Sequence, residues 1–182
     1  MSYRKPYIES SVFIEYIRED DSAKTKIVKS ILDAADGGQF MIVTATWTIA
    51  EVHKRKNFGE KVLEEDESMS LLESFRENYI DPVEVDRHLA ESAHALCRKY
   101  LPNGKDKSLR PGDAIHIAAA ERAGCDVILS YDPDFLKLNY TTIPIKEPEM
   151  VQLIPRETTA DKHPESMQLF DNIFPEDEKE KG

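Results

Sequence analysis

Apolar residues fall along this chain in two rhythms. Short runs of three or four alternate with longer stretches that are apolar on one helical face. Pro6-Tyr7-Ile8 is the first run, and it passes through Glu9 into Ser10-Ser11-Val12-Phe13-Ile14-Glu15-Tyr16-Ile17. That passage predicts a short buried strand turning into a helix capped by a serine. Ser22 caps a second predicted helix, with Ile27, Ile31, Ala34 and Ala35 on one face and Gly37-Gly38 as its stop. Phe40-Met41-Ile42-Val43 is short enough for a parallel strand, and Thr44 to Thr48 leads into a helix containing Glu51. The stretch from Glu60 to Asn78 reads as a charged helix that buries Val62, Leu63, Met69, Leu72 and Phe75.

Tyr79 to Val85 follows as a strand, and Pro82 assigns it to a sheet edge. Asp86 caps the next helix, where Leu89, Ala93, Leu96, Cys97 and Tyr100 recur at helical spacing. A basic, turn-rich loop runs from Pro102 to Gly112, after which Asp113 opens an alanine-rich helix closed by Gly124. Val127-Ile128-Leu129 is a strand ending at Ser130-Tyr131-Asp132, and a last short strand lies near Ile143-Pro144-Ile145. Strands alternating with helices of this length predict an α/β fold, a three-layer α/β/α arrangement around a parallel sheet. In such sheets the ligand crevice lies outside the carboxyl ends of the strands. Glu9 and Asp132 both fall there.

Length and charge change this picture in two ways. The 182 residues suit one domain and a tail, and composition shifts near residue 150. The expected division is therefore 1–150 for the domain and 151–182 for an acidic tail. Leu169, Phe170, Ile173 and Phe174 would form a docking helix in that tail, unless it stays disordered. The formal net charge of −11 argues against nucleic-acid binding by global electrostatics. From Pro155 onward there are eight acidic and four basic residues, so −4 belongs to the tail and −7 to the body. Either the remaining acid is concentrated in a metal site, or the partner is not nucleic acid. No run of about 18 apolar residues and no signal-peptide pattern occurs, so a cytoplasmic protein without a membrane partner is expected. Cys97 and Cys125 have no metal-ligand spacing and read as core thiols in a reducing compartment.

Four carboxylates occupy similar local positions. Glu9 follows the first strand, Glu51 lies on the third helix, Asp113 starts a helix and Asp132 follows the fourth strand. Each alone has a plain structural reading. Asp113 suits a helix dipole, Asp132 a turn, Glu51 the solvent, and Glu9 a cap. As a set they are harder to dismiss, because crowded carboxylates repel unless a cation compensates. Their hard oxygens suit Mg²⁺ or Mn²⁺ better than zinc. A pair of such ions can orient a water and stabilise the leaving oxygen in phosphodiester hydrolysis. Nothing in the spacing shows that the four converge.

A family resemblance supplies that step. Pro6-Tyr7-Ile8-Glu9-Ser10-Ser11-Val12-Phe13 resembles the opening strand and first acidic position of PIN-domain nucleases. Val43-Thr44-Ala45-Thr46-Trp47-Thr48-Ile49-Ala50-Glu51-Val52 is similar to their strand–turn–helix segment ending in an acid. Arg110-Pro111-Gly112-Asp113-Ala114-Ile115-His116-Ile117-Ala118 resembles their Asp-Ala-x-His-x-Ala helix start. Cys125 to Phe135 resembles their strand with a hydroxyl residue two before an acid. The likeness runs from about residue 5 to about residue 150, in family order. It implies a sheet of about five parallel strands, with Glu9, Glu51, Asp113 and Asp132 as catalytic metal ligands for Mg²⁺ or Mn²⁺. It also implies endoribonuclease activity on RNA, a VapC-type toxin role with an antitoxin partner, and a homodimer. One departure stands out: the first acid is usually Asp, and here it is Glu9. A retained, a retuned and a lost activity are all compatible with that change.

Other residues gather around this set. Ser130 would position a water or ligand at the metal, or be an ordinary strand-end hydroxyl. Asp134 would supplement Asp132 or face solvent. Thr44 and Thr46 would orient Glu51 or cap its helix. His116 is expected to serve packing rather than chemistry, and Trp47 to belong to the core or a dimer interface. Lys54, Arg55 and Lys56, together with Lys105, Lys107 and Arg110, flank the expected pocket, where they would hold phosphates or simply be solvated. Two other readings compete: a catalytically inactive PIN module acting as an RNA-binding or protein-interaction scaffold, and a receiver-like doubly wound domain. The second lacks a convincing acidic pair after the first strand.

Overall fold

The computed structural model describes residues 3–17, 22–52, 73, 75–100 and 109–154. Five strands form one sheet: β1 (Pro6–Ile8), β2 (Ile42–Ala45), β3 (Ile80–Val83), β4 (Val127–Leu129) and β5 (Ile145–Lys146). Their order is β3-β2-β1-β4-β5, and every pairing is parallel. Tyr7 pairs with Val43 on one side and with Ile128 on the other, so β1 is central. Helices α1 (Ser10–Ile17) and α2 (Ala23–Asp36) connect β1 to β2, and α3 (Trp47–Glu51) follows β2. Helices α4 (Arg87–Lys99) and α5 (Pro111–Ala123) connect β3 to β4.

Strand alternation divides the apolar residues between two cores. Ile8, Ile42, Val127 and Leu129 face α1 and α2, where they pack with Val12, Phe13, Val28 and Ile31. Tyr7, Val43, Ala45 and Ile128 face α4 and α5, where they meet Leu89, Ala93, Ala114, Ile117 and Ala118. The three layers follow from this period-2 division, since the three inner strands, β1, β2 and β4, are buried on both faces. Helix α5 buries Ala114, Ala118, Ala119 and Ala120, small side chains that let its backbone approach the sheet. Burial pushes the Cys125 thiol up to about 12, in keeping with an inert core position.

The boundaries differ from expectation in three places. Strand β2 begins at Ile42 rather than Phe40, because its ladder partners are Ile80 to Val83. Phe40 lies outside that ladder, with its ring against the edge of Tyr3 at 5.8 Å. Helix α5 opens at Pro111, a residue whose missing N–H suits the first helical position, and Asp113 therefore sits inside the first turn. Ser10 does not cap α1 but lies within it, and the preceding residue is Glu9, whose Oε2 accepts the Ser11 N–H at 3.1 Å. Caps at Ser22 and Asp86 form as expected, accepting from Thr25 and Leu89. Pro82 lies on the edge strand, paired with Thr44.

Most of the stretch from Glu60 to Asn78 lies outside the described residues, as does the tail from residue 155. Phe75, near its end, is buried against Phe13 at 5.1 Å. Packing continues past residue 150, where Val151 is buried and its N–H donates to Ser30 Oγ at 3.1 Å. No helix among the described residues is long and apolar enough to cross a membrane.

Gly124 ends α5 in the left-handed region, at φ 66°. A side chain there would meet no neighbour, so only the backbone conformation resists one. Gly124→Ala is accordingly expected to lower stability by about 1 kcal/mol, or roughly 2–4 °C in Tm. Thermal unfolding followed by circular dichroism measures this.

Candidate active site

The strand order reverses direction at β1 and β4, which leaves a crevice beyond their carboxyl ends. Glu9 and Asp132 follow these two strands. Glu51 ends α3 and Asp113 lies in the first turn of α5, and all four carboxylates line one cleft of about 390 Å³. Sequence spacing does not reveal this convergence. It arises because β1, β2 and β4 are neighbours and α5 starts above them.

Each glutamate is held by donors from several elements. Glu9, nearly buried, accepts at Oε2 from the Ser130 hydroxyl at 2.8 Å and from the Ser11 hydroxyl. Ser11 Oγ in turn accepts the Tyr131 N–H at 2.8 Å, and Ser130 Oγ accepts the Asp132 N–H at 3.0 Å. Ser130 thus orients Glu9 and the start of the Asp132 turn from a fully buried position. Glu51 Oε2 accepts from Ser10 Oγ at 2.5 Å and from His116 Nε2 at 2.8 Å, and the Trp47 indole N–H also bonds this side chain. Gly112 stands directly behind. A Cβ there would come within 3.0 Å of Glu51 Oε1 and 3.4 Å of Trp47 Nε1, so only glycine leaves both in place.

His116 is buried as packing would require, but both its ring nitrogens are engaged. Nδ1 meets the Tyr7 hydroxyl at 2.8 Å and Nε2 meets Glu51. An ionised carboxylate can only accept, so Nε2 carries a proton and has no lone pair to offer a metal. This matters because Glu9, Glu51 and His116 each place one possible ligand atom within 4.8 Å of the others. In this arrangement the imidazole holds Glu51, and within this group only the carboxylate oxygens have lone pairs free for a cation. Tyr7 stays a phenol, since burial and then the Glu9 charge raise its pKa well above the ordinary value.

The acids differ in their electrostatics. Burial raises the Glu51 pKa, but hydrogen bonds from His116, Ser10 and Trp47 more than offset it and hold the carboxyl at about 2. Asp113 moves the other way, to about 6. Burial is the main cause and the charges of Asp132 and Glu9 add to it, while Arg110 opposes. Burial thus outweighs the compensating charges of Arg110 and His116, and a cation in the cleft would favour the ionised form of Asp113.

The remaining expectations divide. Arg110 lines the cleft and lies 3.6 Å from Asp134, which is not among the lining residues. Asp132 also forms a turn, accepting the Asp134 N–H at 2.8 Å. Thr44 donates to the Ile8 carbonyl at 2.9 Å and meets Thr48, while Thr46 Oγ1 accepts the Val85 N–H. These bonds tie β2 to β1 and to the segment after β3, rather than contacting Glu51. Trp47 does not belong to the core: it lines the cleft and is 38% exposed. Lys54, Arg55, Lys56, Lys105 and Lys107 lie outside the described residues. Ser10, Ser11 and Tyr7 join the site through these bonds, and two serines directly after Glu9 are a readable signal of donors to an acid.

A family model for the PIN domain matches residues 7–139. No curated protein matches the chain in sequence. Among solved structures it is similar to VapC20 of Mycobacterium tuberculosis, a toxin that cleaves the sarcin–ricin loop. Identity is 14%, the TM-score is 0.53, and the match covers 71% of this chain and 92% of that one. It is also similar to VapBC2 of Rickettsia felis, bound to a fragment of promoter DNA. There identity is 10%, the TM-score 0.55, and coverage 80% and 99%. FitAcB of Neisseria gonorrhoeae aligns at 15% identity and TM-score 0.51, over 79% of this chain and 97% of that one.

Two outcomes test the site's electrostatics and its hydrogen-bonded support. The folded Asp113 carboxyl titrates near 6, above its unfolded value of about 3.9. Stability from this group is therefore present below the unfolded value and lost as pH rises through about 6. In EDTA, Asp113→Asn should raise Tm by roughly 2–4 °C at pH 7.5, after discounting for partial exposure, and leave it unchanged near pH 3.5. His116→Leu should weaken Mn²⁺ binding about tenfold by calorimetry, whereas His116→Gln, which keeps a donor, recovers most of it.

Proposed function

Because this chain belongs to the PIN-domain family, we propose that it is a divalent-cation-dependent endoribonuclease that hydrolyses RNA phosphodiester bonds. The observation that carries this reading is the convergence of Glu9, Glu51, Asp113 and Asp132 on one cleft at the switch of strand order.

The donor set fits Mg²⁺ or Mn²⁺: four carboxylates line the cleft, and the His116 nitrogen beside them carries a proton turned to Glu51. Such a cation, when bound, would neutralise the clustered charge and act as a Lewis acid toward a phosphodiester. Glu9 and Glu51 serve as fixed ligands, since each is held by side chains from other elements. Asp113 and Asp132 complete the set from the α5 and β4 sides. Arg110 on the rim supplies positive charge for a phosphate beside the scissile one. Lys54, Arg55, Lys56, Lys105 and Lys107 extend that role along the backbone. Glu9 in place of Asp is accommodated by Ser11 and Ser130, which fix the longer side chain.

A toxin role in a toxin–antitoxin pair agrees with the solved structures it resembles: a toxin cleaving the sarcin–ricin loop, VapBC2 bound to a promoter DNA fragment, and FitAB bound to an IR36 DNA fragment. An antitoxin protein, a homodimer and a cytoplasmic location belong to the same proposal.

Cleavage of mixed structured RNAs with Mn²⁺ tests the reading. Wild type should cut, EDTA should stop it, and Asp113→Asn should reduce the rate at least about a hundredfold. RNA left intact by wild type, or cut equally by both proteins, would count against it. The first result would favour the inactive scaffold.

A further inference from the structure

We propose that residues 167–174 of the tail dock as a short amphipathic helix on an apolar strip of the same chain. Met41, Met150, Leu153 and Ile154 make that strip, and Met41 directly precedes β2, so it lies at the end of the sheet away from the carboxylate cleft.

The strip is the outer side of a segment beyond residue 139, where the PIN match ends. After β5 the chain runs back along α2 without forming a further strand. The Glu149 N–H donates to the Tyr3 hydroxyl at 3.3 Å, and the Val151 N–H to Ser30 Oγ on α2 accompanies a buried Val151 side chain. Gln39 then clasps the end of the segment. Its Nε2 donates to the Gln152 carbonyl at 3.2 Å, and its Oε1 accepts the Ile154 N–H at 3.0 Å. The backbone is thus held, yet Met150, Leu153 and Ile154 remain exposed. So does Met41, two residues after Gln39, while Phe40 between them is buried. These side chains are 43% to 69% exposed, and they are four of the six large apolar ones exposed among the described residues. Apolar surface gathered in this way marks a contact, and methionines adapt to the shape of what covers them.

The tail is the occupant that the chain itself brings to this place. The described residues end at Ile154, on the strip, so residue 155 starts there. The linker from 155 to 166 spans at most about 40 Å, and a tether of that kind holds its end at an effective concentration on the order of 1 mM. An intrinsic Kd of about 0.1 mM would then keep the tail docked roughly nine-tenths of the time. Leu169, Phe170, Ile173 and Phe174 share one helical face, with Gln168, Asp171 and Asn172 opposite and Pro175 as a stop. So short a helix is marginal in water by itself, and burial of its apolar face on the strip supplies the missing stability.

Hydrogen exchange on the full chain tests this. Amides of residues 170–174 should exchange about tenfold more slowly than in a free peptide of residues 160–182, at the same rate over about two decades of protein concentration. Ile154→Glu, at a position already 69% exposed, and the double variant Phe170→Asp with Phe174→Asp should each abolish that protection. Thermal melts establish that both variants keep the fold. Exchange in the full chain as fast as in the peptide would overturn the proposal. Protection that survives Ile154→Glu would also overturn it, by placing the tail elsewhere, as would protection that grows with protein concentration, which belongs to a second copy. None of these outcomes depends on whether the cleft cuts RNA.

Discussion

Mutual repulsion among carboxylates is the constraint around which this molecule is arranged. Four acids share one cleft, and elementary electrostatics would scatter them or protonate them. The protein instead treats them in two ways. Glu9 and Glu51 are surrounded by hydroxyl, imidazole, indole and backbone donors, enough to hold Glu51 at about 2 despite its burial. Asp113 receives no comparable support and rises to about 6. The site is therefore asymmetric: Glu9 and Glu51 are held by donors from several elements, whereas burial dominates at Asp113. Under the proposed function, the anchored pair would set the position of a cation and Asp113 and Asp132 would add to its affinity.

The support for the anchored pair passes through the sheet. Tyr7 belongs to the core beneath α4 and α5, and its hydroxyl meets His116, whose far nitrogen reaches Glu51. Ser130 at the end of β4 reaches across to Glu9 at the end of β1. Thr44 on β2 bonds the Ile8 carbonyl, tying a second neighbouring strand to the same point. A buried polar chain of this kind costs free energy if any member is unpaired, so it specifies one arrangement rather than many. The cleft's geometry is in this sense a property of the sheet and not of a loop.

The acidic character of the chain then has a partly local meaning. Net charge sums over distance, whereas the cleft sets its four carboxylates beside Arg110. Trp47 shows the same locality. It stands outside both cores and lines the carboxylate cleft.

The fold was largely legible in the sequence. Runs such as Val127-Ile128-Leu129, caps at Ser22 and Asp86, and the glycine after α5 are local signals, because backbone conformation and burial periodicity act over a few residues. The edges of β2 and α5 were less so, since a strand ends where its partner ends and a proline can start a helix before its first acid. Position after a strand marked Glu9 and Asp132 as crevice residues, and family likeness extended the set to Glu51 and Asp113. Only the tertiary structure decided what holds each one. Ser10 meets Glu51 across 41 positions, His116 across 65, and Ser130 meets Glu9 across 121. Hydrogen bonds between such distant residues depend on strand order and register, which no local pattern records, and so the roles of His116, Ser130 and Trp47 emerged only once the chain was folded.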